Sequence, residues 1–192
     1  MAKKRKKKGW IGKFVALLFL IGVVVSLSLL FRKEIVNTFE PLFEKLSLVE
    51  ERKEVVLYFS DQDGEYLVGE KRRIVKKGDF KKEGKEVIDE LIRGPRGKLI
   101  PTLPSRTKCL SLKLNEKGVA TVNFNKALSK EHPGGSSAEI LTAYSIVNSL
   151  TQNFSQIKRV QIFIEGKPVE TIAGHLSLKQ PIASKPDLIK KQ

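Results

Sequence analysis

From Phe14 to Phe31 the chain runs through eighteen residues without a charge, almost all of them apolar. Wound as a helix, they rise about 27 Å, enough to cross the hydrocarbon core of a bilayer. A helix also satisfies every backbone amide inside such a segment. Further on, Ile35, Val36, Phe39, Phe43 and Leu46 recur at roughly helical spacing, with Glu34, Glu40 and Glu44 between them and Pro41 as a break. That pattern predicts an amphipathic stalk leading to a folded domain.

The domain announces itself by shorter periods. Val55–Phe59 is a compact β-branched and aromatic run, Asp61–Gly64 a turn, and Tyr66–Val75 a second, more polar strand. Val87, Ile88, Leu91 and Ile92 then fall on one helical face, with Glu86, Asp89 and Glu90 on another, until Gly94-Pro95 stops the helix. After a loop with Pro101 and Pro104, Leu110, Leu112 and Leu114 alternate with Ser111 and Lys113. The chain turns at Asn115–Gly118 and returns through Val119–Phe124 as a half-buried hairpin. Ser136 with Glu139 reads as a capping box opening a helix with an apolar stripe of Ile140, Leu141, Tyr144, Val147 and Leu150. Val160–Ile164, a turn at 165–167 and Val169–Ile172 predict a last hairpin.

The order is ββαββαββ, an α+β fold with two helices packed on an antiparallel or mixed β-sheet, preceded by one transmembrane helix. The organisation read from the sequence is a basic cytoplasmic N-terminus at 1–13, an anchor at 14–31 and a stalk at 32–53. Beyond the stalk come a domain at 54–180 and a disordered tail at 181–192. Leu57, Phe59, Leu91, Phe124, Ile140, Tyr144, Val147, Leu150 and Ile162 are its expected core.

The net charge of +15 suggests nucleic acid until it is partitioned. Residues 1–33 hold nine Lys or Arg and no acid, which leaves 27 basic against 21 acidic residues, or +6, for the rest. The cluster Lys3–Lys8 is therefore a topology signal that keeps the N-terminus cytoplasmic and exports the chain beyond Arg32. A cleavable signal peptide begins with the same order, but here the apolar run is longer and no A-x-A-like site succeeds it. Nucleic acid is not an expected partner; the membrane is. A second basic group, Lys71, Arg72 and Arg73 with Lys76 and Lys77, reads as a solvated or edge-protecting charge run. Contact with a polyanion such as a cell-wall polymer, or with a protein partner, is its functional alternative.

Catalytic and metal chemistry find little support. Cys109 is the single cysteine, so the chain forms no internal disulfide, and its alternating strand predicts a buried thiol. His132 and His175 lack metal-binding spacing. Asp61-x-Asp63-Gly64 lacks the distal ligands of a calcium loop, and Ser136-Ser137 lacks a nucleophile elbow. No cofactor and no enzymatic activity are expected.

Several segments together resemble the GerMN domain of sporulation and spore-germination proteins. Leu57-Tyr-Phe-Ser-Asp61 with Leu67 and Arg72-Arg73 is similar to that family's first hairpin. Leu91-Ile-Arg-Gly-Pro95 resembles its helix-ending element, and Ile100-Pro101 the motif after it. Gly118–Phe124, Gly135–Glu139 with Ile146–Thr151, and Val160–Gly166 resemble its later strand, long helix and last strand, in order over about 120 residues. Asn123 and Ser149 depart from the family's more frequent Asp and Thr. The resemblance implies a non-catalytic module of the bacterial envelope, in sporulation, germination or cell-wall processes, whose partners are envelope proteins or peptidoglycan. A domain binding a small molecule or glycan is the alternative, and a cell-wall hydrolase a third. N-terminal sequencing of protein extracted from membranes tests the anchor: an intact N-terminus is expected, and a mature chain beginning after residue 28 contradicts it.

Overall fold

The computed structural model describes residues 8–30 and 50–191, with side chains in the first segment given at 12–27 and 30. The basic N-terminus before Lys8 and the stalk through Val49 lie outside the described residues. The chain divides into two compact units, Met1–Glu50 and Glu51–Gln192, and each is described by itself.

In the first unit, helix α1 spans Lys8–Leu30, 23 residues that include most of the expected anchor. Every described side chain on it is exposed, among them Phe14, Leu18, Phe19 and Leu30. Among the described residues no helix is long and apolar enough to cross a membrane. The stretch whose side chains are described without a break, 12–27, is 16 residues and about 24 Å along a helix axis.

The second unit opens with β1, Arg52–Ser60, which pairs antiparallel with β2, Leu67–Val75. Helix α2, Phe80–Ile92, comes next. Asp79 caps it by accepting from the Lys81 amide at 2.9 Å, and Gly94 leaves it with φ +84°, a left-handed exit that favours glycine. Strands β3, Cys109–Leu114, and β4, Val119–Phe124, form the expected hairpin. A short helix α3, Ala127–Lys130, then precedes the long helix α4, Ser136–Asn153. Strand β5, Arg159–Ile164, lies parallel to β4, and β6 is only Lys167–Pro168. A 3-10 turn, Pro186–Leu188, sits in the tail.

The α+β class agrees with the sequence reading, and so does the element order through β5 apart from the added short helix α3, but the strands form two sheets, not one. β1-β2 stands apart from the mixed sheet β3-β4-β5-β6. Helices α2 and α4 touch each other, and each touches both sheets, so one core serves the whole unit. The approach of α2 to β3 is close: a Cβ on Gly84 would stand 2.4 Å from a Leu112 methyl.

Because α4 lies between sheets, it is buried on nearly every side. Leu141, Ala143, Ile146, Val147 and Leu150 are buried, and so are Glu139, Thr142, Ser145, Asn148 and Ser149. Ile140 and Tyr144, expected in the core, fall instead on the half-exposed line of the helix. The other seven expected core residues are buried.

Three further expectations are corrected. Gly135, with φ +85°, precedes α4 and no side chain caps it, so Ser136 and Glu139 form no capping box. Val169–Ile172 is not a strand, because the chain beyond Pro168 wraps around Glu139. Residues 181–191 are tied down and not a disordered tail. Ile182 exchanges backbone hydrogen bonds with Val160 at 2.8 and 2.9 Å, and Ile189 bridges Leu67.

Truncating Leu150, which is fully buried in the shared core, should cost about 2–5 kcal/mol. Thermal or urea unfolding of Leu150→Ala checks this, and an unchanged midpoint would show that α4 is placed wrongly.

Candidate functional site

The polar side of α4 organises the domain's surface. Val56 and Tyr58 turn their amides away from β2, toward α4. Asn153 accepts from Val56 N at 2.9 Å and donates to Val56 O at 2.7 Å, and Ser149 Oγ accepts from Tyr58 N at 3.0 Å. Ser60 and Ile100 exchange backbone bonds at 3.2 and 2.9 Å. The outer edge of β1 is thereby closed by a helix and a loop.

At the other end of α4, Glu139 is fully buried. One carboxylate oxygen accepts from Thr171 Oγ1, Ile172 N and Ala173 N; the other accepts from His175 N at 2.6 Å and Leu176 N at 3.2 Å. Burial alone would raise its pKa, but these donors outweigh it and bring the carboxyl to about 2. The loop 171–176 is thus folded around a single negative charge.

A cleft of about 620 Å³ lies between the β1–β2 turn at Asp63–Glu65, the loop Ile100–Pro104 and the first turns of α4. That volume suits a small ligand or a peptide side chain. Its wall is a hydrogen-bonded chain: Thr102 Oγ1 donates to Ser145 Oγ at 2.7 Å, and Thr142 Oγ1 donates to Thr102 O at 2.5 Å. The Gly134 amide donates to His132 Nδ1 at 3.0 Å, so Nε2 carries the hydrogen it gives to Thr142 Oγ1. Burial holds His132 below its ordinary value of 6.5, against the pull of Glu139. A smaller groove of about 390 Å³ adjoins, with Tyr66, Ile140 and Leu188 in its lining.

The basic group separates when folded. Arg72 is 3% exposed and points into the core face of β2. Its five N–H donors meet Glu70 at 2.8 and 2.6 Å, Glu90 Oε2 and O at 2.8 and 3.1 Å, and Gly94 O at 2.6 Å. The guanidinium also lies 5.3 Å from the centroid of Phe59. Arg72 therefore ties β2 to the carbonyl end of α2, where a cation is favoured, and it keeps no N–H donor for a surface partner. Lys71 pairs with Glu54, Lys76 with Glu51 and Lys77 with Glu86, at 2.8, 2.8 and 2.6 Å. Arg73 has no ion pair among the described residues.

The remaining motifs resolve into structural roles. Asp61 accepts from Glu65 N and Tyr66 N and pairs with Lys190 at 3.1 Å, which forms the turn and binds the tail. Cys109 is buried, and burial pushes its thiol up to about 11, so it is no nucleophile at neutral pH. Among the described residues no group of His, Cys, Asp or Glu is arranged to hold a metal ion. His175 joins the loop around Glu139 through its backbone. Sequence reasoning missed Glu139 because a glutamate three residues after a serine looks like a cap. Only the distant loop shows otherwise.

The same architecture is found in known proteins. The sequence model of the family described as "Germane: Sporulation and spore germination" matches residues 56–170. Among solved structures, the first GerMN domain of the sporulation protein GerM from Bacillus subtilis superposes with a TM-score of 0.58 at 20% identity, over 70% of this chain and 99% of that one. The tandem GerMN domains of the same protein give 0.55 at 20% identity, over 71% of this chain and 48% of that one. A "Putative Lipoprotein" from Clostridium perfringens gives 0.51 at 26% identity, over 74% and 95%. No curated protein sequence matches.

The Glu139 site predicts a pH dependence with a definite sign. Its folded pKa, about 2, lies below the ordinary 4.5, so its stabilisation is complete above 4.5 and is lost as pH falls toward 2. The shift corresponds to about 3 kcal/mol. His132, also depressed, adds a loss that begins as pH falls below 6.5. Glu139→Gln should destabilise the domain by about 2–3 kcal/mol at pH 7, and its deficit should shrink by pH 3. Urea melts across pH measure both, and a constant deficit would show that the carboxylate is not charged in the fold.

Proposed function

We propose that this chain, which belongs to the Germane family of sporulation and spore germination, is a membrane-anchored domain outside the cytoplasm that acts by binding, as a non-catalytic scaffold in an envelope assembly. One observation carries the binding reading. The domain's buried ionisable groups are occupied in holding backbone and packing: Glu139 gathers a loop, Arg72 joins β2 to α2, Asp61 makes a turn, and Cys109 is enclosed. Catalytic groups are held near a cleft with capacity left for a substrate, whereas these have theirs filled.

The anchor has its own support. Helix α1 exposes its described apolar side chains along its whole circumference, and such a surface is stable when lipid or protein covers it. Lys3–Lys8 stand at the end that a cytoplasmic leaflet would hold. Tethering matters energetically, because two partners on one membrane meet at a raised effective concentration and weak contacts suffice.

The cleft of about 620 Å³ favours a second reading, in which the domain takes a small molecule or glycan between Glu65, Ile100 and Ser137. Competition separates the two: a cleft ligand should be displaced by bulky Ala138 substitutions that leave a scaffold contact elsewhere intact.

Replacing residues 1–31 with a cleavable secretory signal should weaken complementation of a deletion while the domain still folds. Full complementation by the untethered domain at native abundance, or turnover of a cell-wall substrate by it, would overturn the scaffold reading.

A further inference from the structure

The long strands differ in what borders their outer edges. β1 is closed by Asn153, Ser149 and Ile100. Because Val56, Tyr58 and Ser60 turn away from β2, their cross-strand partners Lys71, Gly69 and Leu67 must turn their backbone groups away from β1. Arg73, opposite Glu54, continues this outward set. Leu67 is engaged: its carbonyl accepts from Lys190 N at 2.9 Å, and Ile189 runs parallel beside it. Gly69, Lys71 and Arg73 find no backbone partner among the described residues.

This open stretch lacks the usual defences of an edge. β2 is nine residues long, contains no proline, and pairs with β1 in continuous register without a bulge. Its remaining protection is charge. A concavity of about 340 Å³ runs along it, lined by Arg52, Glu54, Lys71, Arg72, Arg73 and Arg96. Arg52 and Arg73 form no ion pair within 4.0 Å among the described residues, Arg73 acts on Glu54 only at longer range, and Arg96 reaches Glu90 only at 3.7 Å. Glu54 pairs with Lys71, and Glu70 and Glu90 are shared among Arg72, Arg93 and Arg96, so three carboxylates face Arg52, Lys71, Arg72, Arg73, Arg93 and Arg96 and the balance is cationic. A second copy of the same edge would set these cations against each other, which disfavours self-pairing.

We propose that the outer edge of β2, from Gly69 to Arg73, docks an extended acidic segment of a partner protein as an added strand. The main-chain groups of Gly69, Lys71 and Arg73 supply its hydrogen bonds, and Arg52, Arg73 and Arg96 receive its carboxylates. The tail already demonstrates the geometry at Leu67, where Ile189 lies beside the strand. The proposal rests on the binding reading and names its surface and partner chemistry.

The test uses full-length protein in detergent and three labelled probes of equal charge. One is an extended peptide alternating Glu with Val, one alternates Glu with Pro, and one is inorganic polyphosphate. The Glu–Val peptide should bind, weaken at least about tenfold in the double variant Lys71→Glu, Arg73→Glu, and slow amide hydrogen exchange at Gly69, Lys71 and Arg73. Arg73→Pro removes the outward N–H together with the guanidinium, whereas Arg73→Ala removes the guanidinium alone, so the proline variant should fold and bind more weakly than the alanine variant. The Glu–Pro peptide should bind at least about tenfold more weakly. Equal binding of the Glu–Pro peptide or polyphosphate, without amide protection, would overturn strand addition in favour of a polyanion surface. Absence of binding by the Glu–Val peptide would overturn the proposal outright. Either failure leaves the tethering experiment to judge the scaffold reading separately.

Discussion

A helix enclosed on nearly all sides must find a partner for every polar group it carries, and α4 meets that demand along its whole length. An unpaired buried polar group costs about 1–3 kcal/mol, so each of these side chains has to reach something. Glu139 gathers the 171–176 loop, and Thr142 and Ser145 fix the loop at Thr102. Asn148 exchanges bonds with the backbone of Lys185, and Ser149 and Asn153 complete β1. The helix is therefore the structural centre of the domain, and its polar residues define where distant loops, a strand edge and the C-terminal segment come to rest.

The same economy governs charge. Arg72 sits in the middle of a basic run, yet a strand alternates its faces, so one residue of the run enters the core while Lys71 and Arg73 stay outside. Inside, the guanidinium is saturated by two carboxylates and two carbonyls, an arrangement that avoids the cost of a buried unpaired ion. Outside, flexible lysines meet surface glutamates in pairs that contribute little to stability. The charge left at the surface is local in character: a mildly acidic cleft beside Asp63 and Glu65, and a cationic strand edge around Arg73.

Membership of the Germane family is consistent with this division of labour. Structures at 20% identity share the fold with this chain, so the architecture tolerates wide change in sequence. Function in such a scaffold resides in sites laid over the fold, not in the fold itself. The position of Ser149 illustrates the point. It departs from the threonine frequent in the resembling family, but a hydroxyl at that position still accepts the Tyr58 amide.

The α+β class, both long helices, the first hairpin, the β3–β4 hairpin and β5 were legible from local pattern, because periods of two and of about 3.6 report which face of a segment is buried. The apolar run of α1 and its basic flank were legible for the same reason, being properties of consecutive residues. Whatever depended on contact between distant residues was not. Splitting the strands into two sheets, enclosing α4 so that Ile140 and Tyr144 fell on its open line, and turning Arg72 inward all result from how elements stack. Glu139 carries the clearest case. Its neighbours in sequence suggest a helix cap, while its partners lie more than thirty residues away and include backbone amides, which every residue except proline possesses. No sequence pattern marks a loop whose amides will converge on a carboxylate; only the tertiary structure brings the two together.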